Sequence, residues 1–93
     1  MQMICRHLLI RGKVQGVYYR VTAQTEAVAQ GLTGWVRNRS DGRVEAVVNG
    51  PELAVRAFID WAYHGPPAAR VEDIEVAESD DSGHSEFSLR ATL

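Results

Sequence analysis

The sequence predicts an α+β fold, and three observations predict it. Five strand-like runs and two helix-period stretches follow one another as β-α-β-β-α-β plus a terminal strand. Turn and breaker residues separate them: Gly31, Ser40-Asp41-Gly42, Gly50-Pro51 and Gly65-Pro66-Pro67. The length of 93 residues leaves room for one domain, residues 1–93, with a modest core. This order is the ferredoxin-like split βαβ sandwich, with both helices on one face of a mostly antiparallel sheet.

Residues 3–12 are mostly apolar and read as a strand ending at Gly12. Residues 20–30 read as a helix, with Ala23, Ala27 and Ala29 as strong helix formers and Val21, Thr25, Val28 and Leu32 on one stripe. Gly31 suits the position after the last turn. Residues 33–39 and 43–49 read as two strands joined by the Ser40-Asp41-Gly42 hairpin, and Val44, Ala46 and Val48 share one face. Pro51 suits the first position of a second helix, where its missing N–H costs nothing. Leu53, Ala57, Phe58, Trp61 and Ala62 form that helix's apolar face, and Gly65-Pro66-Pro67 stops it.

Residues 69–78 make a further strand with Ile74 and Val76 on one face. Asp80 to Ser85 is a polar turn, with Asp80 and Asp81 solvated. Residues 86–91 close the chain as a strand with Phe87 and Leu89 inward. The expected spatial order is 4-1-3-2, with the last strand at an edge. The strands at 33–39 and 86–91 are read as edges, guarded by Arg37, Arg39, Glu86 and Arg90.

Composition narrows the classes of function. No run approaches the roughly 18 apolar residues of a membrane span. The start of the chain lacks a signal-peptide pattern. The single Cys5 has no partner for a disulfide within the chain and reads as a small buried strand residue. These readings point to a cytoplasmic monomer.

The net charge of −2 conceals an asymmetry: residues 1–50 carry seven Lys/Arg against three Asp/Glu, and residues 51–93 carry three against nine. That is a local positive field suited to a small anion, not the broad basic patch of a nucleic-acid surface. The two central strands also lack the aromatics on which RNA bases stack. His7, His64 and His84 match no metal-ligand spacing.

Two stretches carry the chemistry. Gly12-Lys13-Val14-Gln15-Gly16-Val17-Tyr18-Tyr19-Arg20 places glycines and basic residues between a strand and a helix, where backbone N–H groups can surround an anion. The N-terminal end of the helix adds its free donors and positive dipole end. Arg20 can bind two phosphate oxygens with one planar fork. Gly34-Trp35-Val36-Arg37-Asn38 ends a strand on an Asn. A right-handed crossover makes the first two strands parallel, so Arg20 and Asn38 come to the same end of the sheet, about 10 Å apart with one strand between them. Read alone, Arg20 is a solvated helix-start residue and Asn38 a turn residue. Lys13 is a surface charge that can steer an anion, and Tyr18 either lines the mouth of the site or is simply exposed.

These two stretches resemble the paired signatures of the acylphosphatase family, in the first of which an aromatic directly precedes the essential Arg. The likeness continues through Phe58, Trp61, Gly65-Pro66-Pro67 and Ala69-Arg70-Val71. The resemblance implies hydrolysis of a small-molecule acyl phosphate to a carboxylate and inorganic phosphate, with no cofactor, no metal and no covalent intermediate. It implies that Arg20 and the backbone of Gln15, Gly16, Val17, Tyr18, Tyr19 and Arg20 hold the phosphoryl group, and that Asn38 holds the attacking water. Tyr19 stands where Phe is common, so its hydroxyl needs a partner. Arg39 stands where some members carry Thr, which removes a hydroxyl that could place Asn38 or the water. A sensor of phosphate or carbamoyl phosphate would keep the same loop, and turnover separates the two.

Overall fold

A computed structural model describes residues 2–93. The elements are β1 (Met3–Lys13), α1 (Tyr19–Ala29), β2 (Thr33–Asn38), β3 (Val44–Pro51), α2 (Glu52–His64), β4 (Arg70–Glu78) and β5 (Phe87–Leu89). The sheet order is β4-β1-β3-β2-β5. It is the ferredoxin-like order expected, with the fifth strand added at an edge. β3 is antiparallel to both β1 and β2, so β1 and β2 run parallel with β3 between them. β5 pairs parallel to β2, Gly34 opposite Phe87. β2 is therefore not an edge: the edges are β4 and β5.

One face of the sheet meets both helices. Leu8 and Ile10 of β1, Val36 of β2, and Val44, Ala46 and Val48 of β3 pack there against Ala23, Ala27, Val55, Phe58 and Ala62. Truncating the fully buried Phe58 to Ala would cost about 3–5 kcal/mol in lost transfer energy and cavity.

The packed face of α1 is Tyr19, Ala23 and Ala27, not the stripe of Val21, Thr25 and Val28, which lies exposed. Both stripes have helical spacing; the alanines win because small side chains let the helix axis approach the sheet closely. In α2 the buried residues are Val55, Phe58 and Ala62, while Leu53 is 82% exposed. Pro51 is the last residue of β3 and caps α2, one place earlier than expected. Ile74 is buried as expected, but Val76 and Leu89 are exposed on the two edge strands, although their partners Leu8 and Val36 are buried.

The opposite face carries a smaller cluster of Cys5, Trp35 and Val47. The 80–85 segment is largely exposed as expected, Asp80 and Asp81 included, but it reaches this cluster through one side chain. Trp35 Nε1 donates to Asp81 Oδ2 at 2.9 Å, and His84 Nε2 lies 2.9 Å from Asp81 Oδ1. Those two contacts hold the Asp81 carboxyl below its usual range. The Arg37 and Arg90 guanidiniums lie 4.8 and 4.5 Å from the Trp35 ring centroid. Burial pushes the Cys5 thiol up, which keeps it protonated and suits a packing role.

Candidate active site

The segment leaving β1 is pinned at both ends by buried Val14 and Val17. Between and after them, Gly16 and Tyr18 take left-handed backbone angles, φ 74° and 65°. A Cβ at Gly16 would meet nothing within 4 Å, so the demand for glycine there is conformational rather than steric. Alternating left- and right-handed residues turn successive N–H groups to one concave side. Among the described residues, none of the backbone N–H groups of residues 16–21 donates to a protein acceptor; the first bond of α1 runs from Thr22 N to Tyr18 O, 3.1 Å. The first turn of α1 holds no acidic residue and Tyr18 makes no side-chain cap, so its positive end is left unneutralised.

Tyr19 fixes this loop to the other helix. Its ring is 1% exposed and packs 5.5 Å from the Trp61 ring, and its hydroxyl donates to the Ala62 carbonyl at 2.6 Å. Ala62 lies in the last turn of α2, where a carbonyl lacks an intrahelical partner, so the hydroxyl of Tyr19 has the partner it needed. Burial raises the Tyr19 pKa further above its ordinary value, and the group remains a donor. The next residue, Arg20, has no ion-pair partner among the described residues.

Asn38 is the last residue of β2. Its backbone is paired with Val44, and its carbonyl accepts from Leu93 N at 3.1 Å. Among the described residues its side-chain amide enters no hydrogen bond. The hairpin after it is closed by Arg39 N to Arg43 O, 2.8 Å, and by Asp41, which takes bonds from both Arg43 and Arg39. The bonds from Arg43, with a lesser contribution from Arg39, hold the Asp41 carboxyl well below the usual carboxylate range.

These pieces meet around one hollow of about 330 Å³ lined by Gly16, Tyr18, Tyr19, Arg20, Val21 and Asn38. Arg20 and Asn38 are thus brought together as the crossover argument requires. Gln15 and Val17 do not line it: the Gln15 side chain turns to the hairpin and Val17 turns inward. Val21, read from the sequence as part of a packed stripe, belongs to the wall of the hollow instead. Arg39 does not enter, because successive residues of an extended chain face opposite ways. Its guanidinium meets Asp41 at 3.0 Å and Glu45 at 3.6 Å on the far face of the sheet.

A larger hollow of about 510 Å³ lies between Gln2, Gln30 and Pro51 to Ala54, and its lining holds Glu52 and no cation. The smaller one has the groups an anion site needs: among the described residues, backbone N–H groups without a protein acceptor, a helix end, the Arg20 guanidinium without an ion-pair partner and the Asn38 amide without a hydrogen bond. Among the described residues no three His, Cys, Asp or Glu stand close enough to hold a metal ion, and no helix is long and apolar enough to cross a membrane.

Comparison with known proteins points to one family. A family model described as Acylphosphatase matches residues 6–89. An acylphosphatase of Acidovorax sp. strain JS42 is 54% identical over 90 residues, covering 97% of this chain and 93% of that protein. The structure of an acylphosphatase from Coxiella burnetii superposes with a TM-score of 0.91 at 36% identity, covering 95% of this chain and 93% of that one. An acylphosphatase crystal structure from Bacillus subtilis gives a TM-score of 0.90 at 41% identity, with 96% and 99% covered.

Proposed function

The chain belongs to the acylphosphatase family, enzymes that hydrolyse acyl phosphates, and on that premise we propose how its residues divide the work. The phosphoryl group sits against the N–H groups of the loop, from Gln15 to Arg20, with the Arg20 guanidinium on two of its oxygens. Asn38 orients a water for attack on phosphorus. One observation carries the reading: a single hollow gathers an unpaired guanidinium, a row of free N–H groups and an uncommitted amide.

The substrate explains why so few groups suffice. An acyl phosphate is a mixed anhydride whose leaving group is a carboxylate, stable as an anion near pH 7, so no general acid is needed. The new bond forms between water oxygen and phosphorus while the bond from phosphorus to the carboxyl oxygen breaks. The electron pair leaves with the carboxylate. Asn38 cannot accept a proton, so the proton lost by water passes to a phosphate oxygen and the product is protonated inorganic phosphate. The transition state is loose, with charge spread over the phosphoryl oxygens, and the protein acts by position and by charge. No step calls for a metal or a cofactor. The edge strand β4 carries Glu72, Asp73, Glu75 and Glu78, and Arg90 directly follows the short edge strand β5, charges that oppose strand pairing and support a monomer. A free, buried Cys5 thiol suits a reducing cytoplasm.

The test is hydrolysis of benzoyl phosphate in excess chelator by the wild type, Arg20→Ala and Asn38→Ala. We expect metal-free turnover in the wild type and losses of at least about 100-fold in kcat in both folded variants. Turnover that survives Arg20→Ala would move the site elsewhere. A folded wild type that binds phosphate without turning over would make the chain a sensor.

A further inference from the structure

Tyr18 is the one non-glycine residue with a positive φ among the described residues, φ 65° and ψ 24°. An aromatic side chain is a poor occupant of that conformation, which glycine or asparagine adopts with less strain. Among the described residues its side chain makes no hydrogen bond, and only its carbonyl is engaged, by Thr22 N and Thr22 Oγ1. The residue is 80% exposed. The left-handed backbone is accounted for by the curve of the loop. The ring is not, since the loop would curve as well with glycine.

One turn along α1, Val21 is 51% exposed. An isolated exposed apolar residue needs no explanation. These two, however, line the same hollow as Gly16, Arg20 and Asn38. Positions 18 and 21 are three apart and lie on one side of the helix start. They make an apolar wall beside the cationic and amide groups. A strained residue facing a site is evidence for a role in that site.

We propose that Tyr18 and Val21 form the subsite for the acyl group, and that they favour carboxyl phosphates with an aromatic or extended apolar acyl part over acetyl-sized ones. The inference rests on the acyl-phosphate reading above. With the phosphoryl oxygens on the loop, the rest of the substrate has to leave the hollow past its apolar wall. An aryl or alkyl chain buries its surface there, and a methyl group is too short to do so. Tyr18 is a specificity residue by its ring and a phosphate ligand only by its backbone.

The experiment is kcat/KM for benzoyl phosphate and for acetyl phosphate, with the wild type, Tyr18→Gly, Tyr18→Asn and Val21→Ser. The readout is the ratio of the two constants, so any common loss through the loop backbone cancels. Glycine and asparagine both tolerate the left-handed conformation, which protects folding. The wild type should prefer benzoyl phosphate. Both Tyr18 variants should lower the ratio by about five- to tenfold, and Val21→Ser should lower it by about threefold. A ratio unchanged in all three, with or without a common loss, would overturn the subsite while leaving the hydrolase reading intact. A wild type that hydrolyses neither compound would remove both.

Discussion

The side-chain amide of Gln15 donates to the carbonyl of Arg39 at 2.7 Å. The same nitrogen also donates to the Arg43 carbonyl at 2.9 Å, so one amide spans the two ends of the hairpin turn. The loop that would hold the phosphoryl group is tied in this way to the residue directly after Asn38.

Gln15→Met keeps the length of the side chain and removes both donors. We expect a loss of about 1–3 kcal/mol in stability by urea unfolding. We also expect a fall in kcat larger than the change in affinity for inorganic phosphate, because the loop survives while its spacing from Asn38 loosens. A variant with wild-type kcat would show that the bridge has no part in positioning.

Tyr19→Phe keeps the ring against Trp61 and leaves the Ala62 carbonyl without its partner. The expected cost is about 1 kcal/mol in thermal or urea unfolding, with a change of under about threefold in turnover. A loss of turnover far beyond that would mean that the hydroxyl, and not only the ring, sets the position of Arg20.

Gly12 sits where the register of β1 against β4 shifts, at φ 132°. A Cβ there would lie 2.1 Å from the Arg70 carbonyl oxygen. Gly12→Ala has to part the two strands just before the loop begins, and should destabilise the fold by about 2–4 kcal/mol. Calorimetry reads this directly; an unchanged Tm would mean that the bulge can open without cost.

Glu45 is 7% exposed on the sheet face away from the helices, with His7 Nε2 and Arg37 Nε each 2.7 Å from its oxygens and Arg39 at 3.6 Å. Burial raises its pKa, but the bonds from His7 and Arg37 outweigh this and hold it below 4.5. A carboxyl lowered in the folded state contributes stability that is fully present above its unfolded pKa and lost as pH falls through the folded one. Stability should therefore decline as pH drops below about 4.5. Glu45→Gln should flatten part of that decline and cost about 1–3 kcal/mol at pH 7. An identical acid limb in the variant would assign the decline to the other carboxylates held low, Asp41 and Asp81.

Much of this was legible in the chain. Element order follows from glycines, prolines and hairpin residues that act locally, and Arg20 and Asn38 stand in motifs that can be read without a structure. On both helices the departure from expectation has one cause. Periodicity assigns a stripe but does not say which of two stripes packs, so it points to Val21 and Leu53 while Ala23 and Val55 are the buried ones. The polar 80–85 segment gave no sign that Asp81 would bond to Trp35, 46 positions away.

What the sequence determined by itself is local: a strand, a loop able to turn left-handed at Gly16, a helix with an arginine in its first turn, and an asparagine ending the next strand. Those depend on backbone preferences within a few residues. The tertiary structure alone decided that the amide of Gln15 faces the hairpin, that Val21 faces the hollow and that Leu93 lies on the Asn38 carbonyl. Each of those depends on how closely whole elements approach once the small side chains of α1 are seated on the sheet, and no spacing along the chain encodes that distance.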